Sequence, residues 1–402
     1  MAATQNNHTE PTRLAVLMIS PQFRPSVGGY ERAAERLSTA LAARGGSVTV
    51  ITERRQCSWP AHEVVDGVVV RRLPCLYRPH LHMLSSLLAF AWFLLRRGRG
   101  FGAWHVHQYG LHAVLAVAMG KLLGRPVVLK LTSSAGKGIR NAVARLPLSP
   151  RVAALLRRVD ACVAISQETG EEALAFGIPA DRIERLANGV DAHRFHPVSS
   201  ADRLAARADL GLVATGLIVF VGRLSPEKNP DGLLAAWQAA QPRLPSGWKL
   251  VLVGDGPMRG ALTARIEADG LGESVRLVGE RSDVERWLRA ADIYVLASHR
   301  EGLSNTTLEA MASGLPVVST RVSGSAETVG ETGAGLVVDI GRMDEVAGAL
   351  VRLATDAPLR ERMGRNGRAV VEEKYSSDRV AEAYLALYRR LISAPAAHKR
   401  NA

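Results

Sequence analysis

Leu217-Ile218-Val219-Phe220-Val221-Gly222-Arg223-Leu224-Ser225-Pro226-Glu227-Lys228-Asn229 is the stretch on which the architecture turns. Its first five residues are apolar without alternation, as in a strand buried on both faces of a parallel sheet. A glycine, a polar loop and a helical pattern over 231–241 follow. The stretch falls in the middle of a 402-residue chain, and it restarts a pattern already completed once. Before it, short apolar runs at 14–19, 48–52, 68–73, 104–106, 127–131 and 161–165 alternate with helical patterns at 30–44, 111–123 and 167–176. After it, runs at 249–253, 275–278, 293–297, 317–319 and 335–338 alternate with helices at 258–268, 284–290, 306–313 and 343–355. Residues 197–210, polar and rich in Ala and Arg, read as the linker between the two series. The pattern predicts two doubly wound, Rossmann-like α/β domains, 12–199 and 212–375, with the carboxyl ends of both sheets on a shared cleft. A last amphipathic helix, 377–392, carries Val380, Tyr384, Leu387, Tyr388 and Leu391 on one stripe.

Composition agrees with a globular protein. Hydrophobic residues make up 47% and charged residues 22%, which excludes a disordered or low-complexity chain. Three widely spaced cysteines, Cys57, Cys75 and Cys162, form neither a disulfide framework nor a cysteine-based zinc module. Residues 1–12 lack a basic region followed by an apolar run, so no secretory leader is expected and the protein reads as cytoplasmic. The longest apolar stretch, 81–95, falls short of the roughly 20 residues that span a bilayer.

Charge is unevenly spread. The net charge is +13, and residues 1–200 carry 25 Lys/Arg against 13 Asp/Glu, whereas 201–402 carry 26 against 25. Residues 67–159 contain 15 Lys/Arg and no acid. Either arginine usage alone explains this, or the first domain presents a surface to an anionic partner.

Four loops carry candidate chemistry. Gly28 and Gly29 follow the first strand and open the first helix. They suit close approach of a ligand and an anion at the helix start, although a plain turn explains them as well. Arg223 and Lys228 stand five residues apart on a strand-to-helix loop, where they either clamp a diphosphate or form a solvated basic loop. Gly254-Asp255-Gly256-Pro257 ends the next strand and reads as a structural turn with Pro257 at the helix start.

Most specific is Glu301-Gly302-Leu303-Ser304-Asn305-Thr306-Thr307-Leu308-Glu309. Gly302 permits close approach, and the backbone N–H groups near Leu303, Ser304 and Asn305 face an anion at the helix start. Acids cannot bind phosphate themselves, so Glu301 and Glu309 suit hydroxyls on either side of it. A capped helix with surface acids is the alternative.

Together with Ala164-Ile165-Ser166-Gln167-Glu168, and with Asn188-Gly189-Val190-Asp191 followed by Phe195 and Pro197, these motifs resemble the retaining GT-B glycosyltransferases of the family 4 group. The resemblance covers residues 14–391. It implies the GT-B fold and a nucleotide-diphosphate sugar of UDP or GDP type as co-substrate, with no further cofactor. It assigns the diphosphate to Arg223 and Lys228, the donor sugar to Glu301 and the nucleotide ribose to Glu309. The backbone from Gly302 to Ser304 lies against sugar and phosphate, Gly28 and Gly29 lie near the diphosphate, and the terminal helix returns to the first domain. Many members carry a His where Thr132 and Ser133 stand here, so that contact is missing or replaced. His107, at the end of an earlier strand, is the candidate histidine for the cleft, against an ordinary packed role.

No Asp-x-Asp triplet occurs, so no metal site is expected, and same-face attack with the leaving phosphate as base is the preferred mechanism. The rival readings are a sugar-nucleotide epimerase or phosphorylase on the same fold, and a non-catalytic nucleotide-sugar-binding scaffold at a membrane. Arg96, Arg97 and Arg99 end the apolar segment 81–95. That arrangement suits a helix lying on an anionic membrane, at its inner face, with a glycan or lipid-linked acceptor and no nucleic acid. A buried core helix is the alternative.

Overall fold

The computed structural model describes residues 14–25, 29–132, 138–146 and 148–394; Gly28 and Ser133 lie outside these. Two sheets follow each other along the chain. The first contains β1 (Ala15–Ile19), β2 (Ser47–Glu53), β3 (His62–Val65), β4 (Val68–Leu73), β5 (Ala103–His107), β6 (Val127–Leu131), β7 (Ala161–Ala164) and β8 (Ile183–Arg185), in the order β3-β4-β2-β1-β5-β6-β7-β8. Only the β3–β4 pair is antiparallel. The second contains β9 (Gly216–Val221), β10 (Trp248–Val253), β11 (Val275–Gly279), β12 (Ile293–Leu296), β13 (Val317–Thr320) and β14 (Gly335–Val338), all parallel, in the order β11-β10-β9-β12-β13-β14. Each sheet is covered on both faces, which is why its central strands are buried along their length. Strands β3 and β8 escape a search for buried apolar runs because they are short edge strands with partly exposed residues.

One expectation needs correction. The polar segment 197–210 is not a bare linker, because it contains a helix, Ser200–Asp209, started by Ser199, whose side chain accepts from Asp202 N–H. Its Arg207 is buried in the second domain, where Nε donates to Ala290 O at 2.8 Å and the guanidinium pairs with Asp292. The arginines that suggest a solvated linker thus include one that satisfies carbonyls at the start of β9.

The chain crosses between the domains twice, side by side. Val190 N–H donates to Tyr375 O and Ser377 N–H donates to Val190 O, both at 2.8 Å. Helix Ser377–Ser393 then packs on the first domain, inserting Val380, Tyr384, Leu387 and Tyr388 into the core beside Val16, Met18 and Leu37. Segment 81–95 forms helix His82–Arg97, with Ser86, Phe90, Phe93 and Leu94 buried. Leu81, Leu84, Leu88, Trp92 and Leu95 are exposed on it. Among the described residues no helix is long and apolar enough to cross a membrane.

Candidate active site

The loops after β9, β10 and β12 meet at the carboxyl edge of the second sheet. After β9, Leu224 N–H donates to Asp255 O at 2.9 Å, tying this loop to the one after β10. Glycine is required at that junction. A Cβ on Gly254, at φ +147°, would stand 1.9 Å from Gly222 O. Gly254 and Gly256 therefore support the Arg223 loop, as their reading as a structural turn requires. The turn Pro226–Lys228 docks on the β12 loop, where His299 N–H donates to Glu227 O at 2.8 Å. Lys228 Nζ is ion-paired with Glu301 Oε1, which also accepts from Ser298 Oγ at 3.0 Å. Arg223 is exposed and has no polar partner among the described residues.

Helix Asn305–Ala312 starts beside this pair. Ser304 caps it by accepting from Thr307 N–H at 3.3 Å, and Thr306 is held by the Tyr294 hydroxyl at 2.7 Å. The helix start faces the first domain, for Asn305 Nδ2 donates to Gly29 O at 3.1 Å and Asn188 Nδ2 donates to Asn305 Oδ1 at 3.0 Å. Leu303 is buried in the second-domain core, which anchors the loop. A Cβ on Gly302 would lie 2.3 Å from Thr132 O, so the backbones of the two domains touch there. Glu309 is buried one turn into the helix and ion-paired with Arg36 of the first domain. The Lys228–Glu301 pair, the helix start and the Glu309–Arg36 pair thus follow one another along a connection that touches the first domain, a set of the kind suited to a phosphate flanked by hydroxyl-bearing groups.

Among the described contacts, His107 joins none of these groups. It is buried in the first domain and stacks on His105, ring centroids 4.4 Å apart, while His105 Nδ1 lies 2.5 Å from the Tyr388 hydroxyl of the terminal helix. Burial holds both imidazoles well below their ordinary pKa, and it lowers neighbouring Lys130 to about 7. A separate trio of potential metal donors, Glu53, Cys75 and His82, lies in the first domain with its donor atoms within 4.8 Å of one another. Its members are already engaged: His82 Nε2 is 3.2 Å from Glu53 Oε2, and the Cys75 thiol donates to Leu73 O.

Arg36 escapes a site reading based on loops, and Asn188, quoted above within its motif, is given no role by it. Arg36 follows Gly29 by seven residues, two turns on along one helix face, and that periodicity was the available signal.

Two family descriptions match the chain: Glycosyltransferase Family 4 over residues 27–194 and Glycosyl transferases group 1 over residues 203–370. The chain is 31% identical to a D-inositol 3-phosphate glycosyltransferase of Segniliparus rotundus, covering 94% of this chain and 89% of the relative. Sucrose-phosphate synthase of Thermosynechococcus elongatus superposes with a TM-score of 0.78 at 25% identity, covering 95% and 100% of the two chains. HepE of Anabaena, solved in complex with UDP, superposes at 0.76 with 19% identity, covering 94% and 99%. The chain belongs to the group 1 glycosyltransferases of family 4 and is built on the GT-B fold.

Proposed function

We propose that the protein transfers a sugar, with retention and without a metal, from a UDP- or GDP-type nucleotide-diphosphate donor to a hydroxyl of a lipid-linked or otherwise anionic acceptor. The observation that carries this reading is the Lys228–Glu301 pair beside the unpaired Arg223 and the start of helix Asn305–Ala312. In the reaction the bond from the anomeric carbon to the leaving phosphate breaks, and the acceptor oxygen bonds to that carbon on the same face. The acceptor proton passes to the departing phosphate oxygen. Arg223, Lys228 and the helix N–H groups stabilise the negative charge that grows there. Glu301 orients the donor sugar and Glu309 the ribose.

A phosphorylated polyol named as substrate of the Segniliparus relative supports an anionic acceptor. The outer face of helix His82–Arg97 supports action at the inner face of a membrane, because its exposed leucines and Trp92 run into Arg96, Arg97 and Arg99. The test is a thermal-shift panel of UDP- and GDP-sugars with EDTA present. A donor at 100 times its Kd adds about 2.7 kcal/mol of stability. No stabilisation by any member of the panel contradicts the reading.

A further inference from the structure

The carboxyl ends of β2 and β4 and the start of helix His82–Arg97 bring three unlike metal donors together in the first domain. Glu53 ends β2, Cys75 stands in the loop after β4, and His82 opens the helix. Their donor atoms all lie within 4.8 Å of one another. With bonds of about 2.0–2.3 Å, tetrahedral zinc holds neighbouring ligand atoms roughly 3.2–3.8 Å apart. His82 Nε2 and Glu53 Oε2 already stand at 3.2 Å, and the Cys75 sulfur, on a loop, has the remaining distance to close.

Two of the donors are aimed by neighbours. Ser86 Oγ donates to Glu53 Oε1 at 2.7 Å and is itself 2.8 Å from His112 Nε2, which leaves Glu53 Oε2 to the trio. The Tyr77 ring stacks on His82 with centroids 4.6 Å apart, and its hydroxyl donates to Glu53 Oε2 at 3.2 Å. Outer partners of this kind orient metal ligands. The Glu53 side chain is 2% exposed, whereas His82 and Tyr77 line a cavity of about 410 Å³. The trio is therefore buried at its carboxylate and accessible at its imidazole. Arg55 Nε, a competing cation, stays 3.6 Å from Glu53 Oε2, beyond hydrogen-bond reach.

A thiolate, an imidazole and a carboxylate suit zinc, whereas Mg²⁺ and Ca²⁺ take oxygen ligands and would forgo the sulfur. We propose that Glu53, Cys75 and His82 bind one zinc ion, which clamps the loops after β2 and β4 to the start of helix His82–Arg97. The ion takes over the contacts that now engage the trio, the thiol bond to Leu73 O and the imidazole–carboxylate contact. Three protein ligands leave a fourth place for water. The sequence hides this site because its residues come from three elements and share no local spacing. Among the described contacts none of the three touches Arg223, Lys228, Glu301 or Glu309, so the inference stands apart from the donor-site reading and no step of transfer runs through the ion.

The experiment is calorimetric titration of zinc chloride into the purified full chain, stripped with EDTA and exchanged into buffer without it. One zinc per chain is expected. Cys75→Ser and His82→Gln should each weaken binding by about tenfold or more, while Cys57→Ser, which removes an exposed thiol, leaves it unchanged. Cobalt in place of zinc should give a thiolate charge-transfer band in the near ultraviolet, lost in Cys75→Ser and kept in Cys57→Ser. Zinc should raise the melting temperature of the wild type and of Cys57→Ser but not of Cys75→Ser. The two ligand variants are independent, so a folding failure in one leaves the other to decide. No zinc binding by the wild-type chain overturns the inference. Wild-type affinity retained in a folded Cys75→Ser or His82→Gln overturns it also, as does cobalt binding without the thiolate band.

Discussion

Gly302 of the second domain lies against the carbonyl of Thr132 in the first, so close that a Cβ on Gly302 would stand 2.3 Å from that oxygen. The neighbour is backbone and cannot swing aside. Gly302→Ala must push the β12 loop away from the end of β6, separating Glu301 and Asn305 from the first domain. The expected cost is about 1–3 kcal/mol, the range for overpacking. It should appear as a loss of transfer rate of about tenfold or more while circular dichroism stays unchanged. Wild-type turnover in Gly302→Ala would show that the close approach has no part in the reaction.

Lys130 supplies a pH signature. It is buried, with Nζ 5.6 Å from the Tyr384 ring centroid, near His105 and His107 and under a helix that also brings Tyr388. Its pKa is about 7 when folded against an ordinary 10.5. Between those values the unfolded chain binds more protons, so stability rises with pH across that window, by up to about 1.4 kcal/mol per unit. His105 and His107, held well below 6.5, add a loss of stability as pH falls below 6.5. In Lys130→Met, the rise between pH 7 and 10 should disappear while the loss on the acid side remains. Parallel melting curves of variant and wild type from pH 7 to 10 would contradict the assignment.

The exposed outer face of helix His82–Arg97 predicts salt-sensitive binding to anionic vesicles. Leu88 and Trp92 are exposed, so Leu88→Glu with Trp92→Glu should leave the fold intact and abolish co-sedimentation. Neutralising Arg96 and Arg97 should weaken binding by about 1 kcal/mol for each residue, less at high salt. Wild-type protein that stays in the supernatant at low salt removes the membrane from the account.

Transfer should continue in excess EDTA. The proposed site gives the diphosphate to Arg223 and Lys228, and the chain has no Asp-x-Asp triplet. Activity lost in EDTA and restored by Mg²⁺ or Mn²⁺ would contradict this.

Much of the candidate site is legible because its parts are consecutive. Glu301, Gly302, Ser304, Asn305 and Glu309 sit on one strand-to-helix connection, and periodicity alone places that connection at a sheet edge. The Arg223–Lys228 loop is legible for the same reason. Arg36 is legible only as a helix-face neighbour of Gly29, because the pairing with Glu309 depends on how two domains face each other. His107 misleads because a strand end looks like a cleft position, whereas its ring is on the face that the terminal helix covers. Residues 197–210 mislead because Arg207 is a polar residue spent on buried carbonyls. Lys130 is hidden in a run otherwise apolar, Val127–Leu131, whose strand character it does not disturb.

The central claim is that Arg223, Lys228, Glu301 and the start of helix Asn305–Ala312 bind the donor diphosphate and sugar. The most direct measurement is calorimetric titration of the nucleotide sugar selected by the thermal-shift panel into wild-type protein and Arg223→Ala. Arg223 is exposed and unpaired, so its removal should leave the melting temperature unchanged. Loss of its charge-assisted bonds should weaken donor binding by about 1.5–3 kcal/mol, roughly 10- to 150-fold. Donor affinity unchanged in Arg223→Ala would contradict the claim.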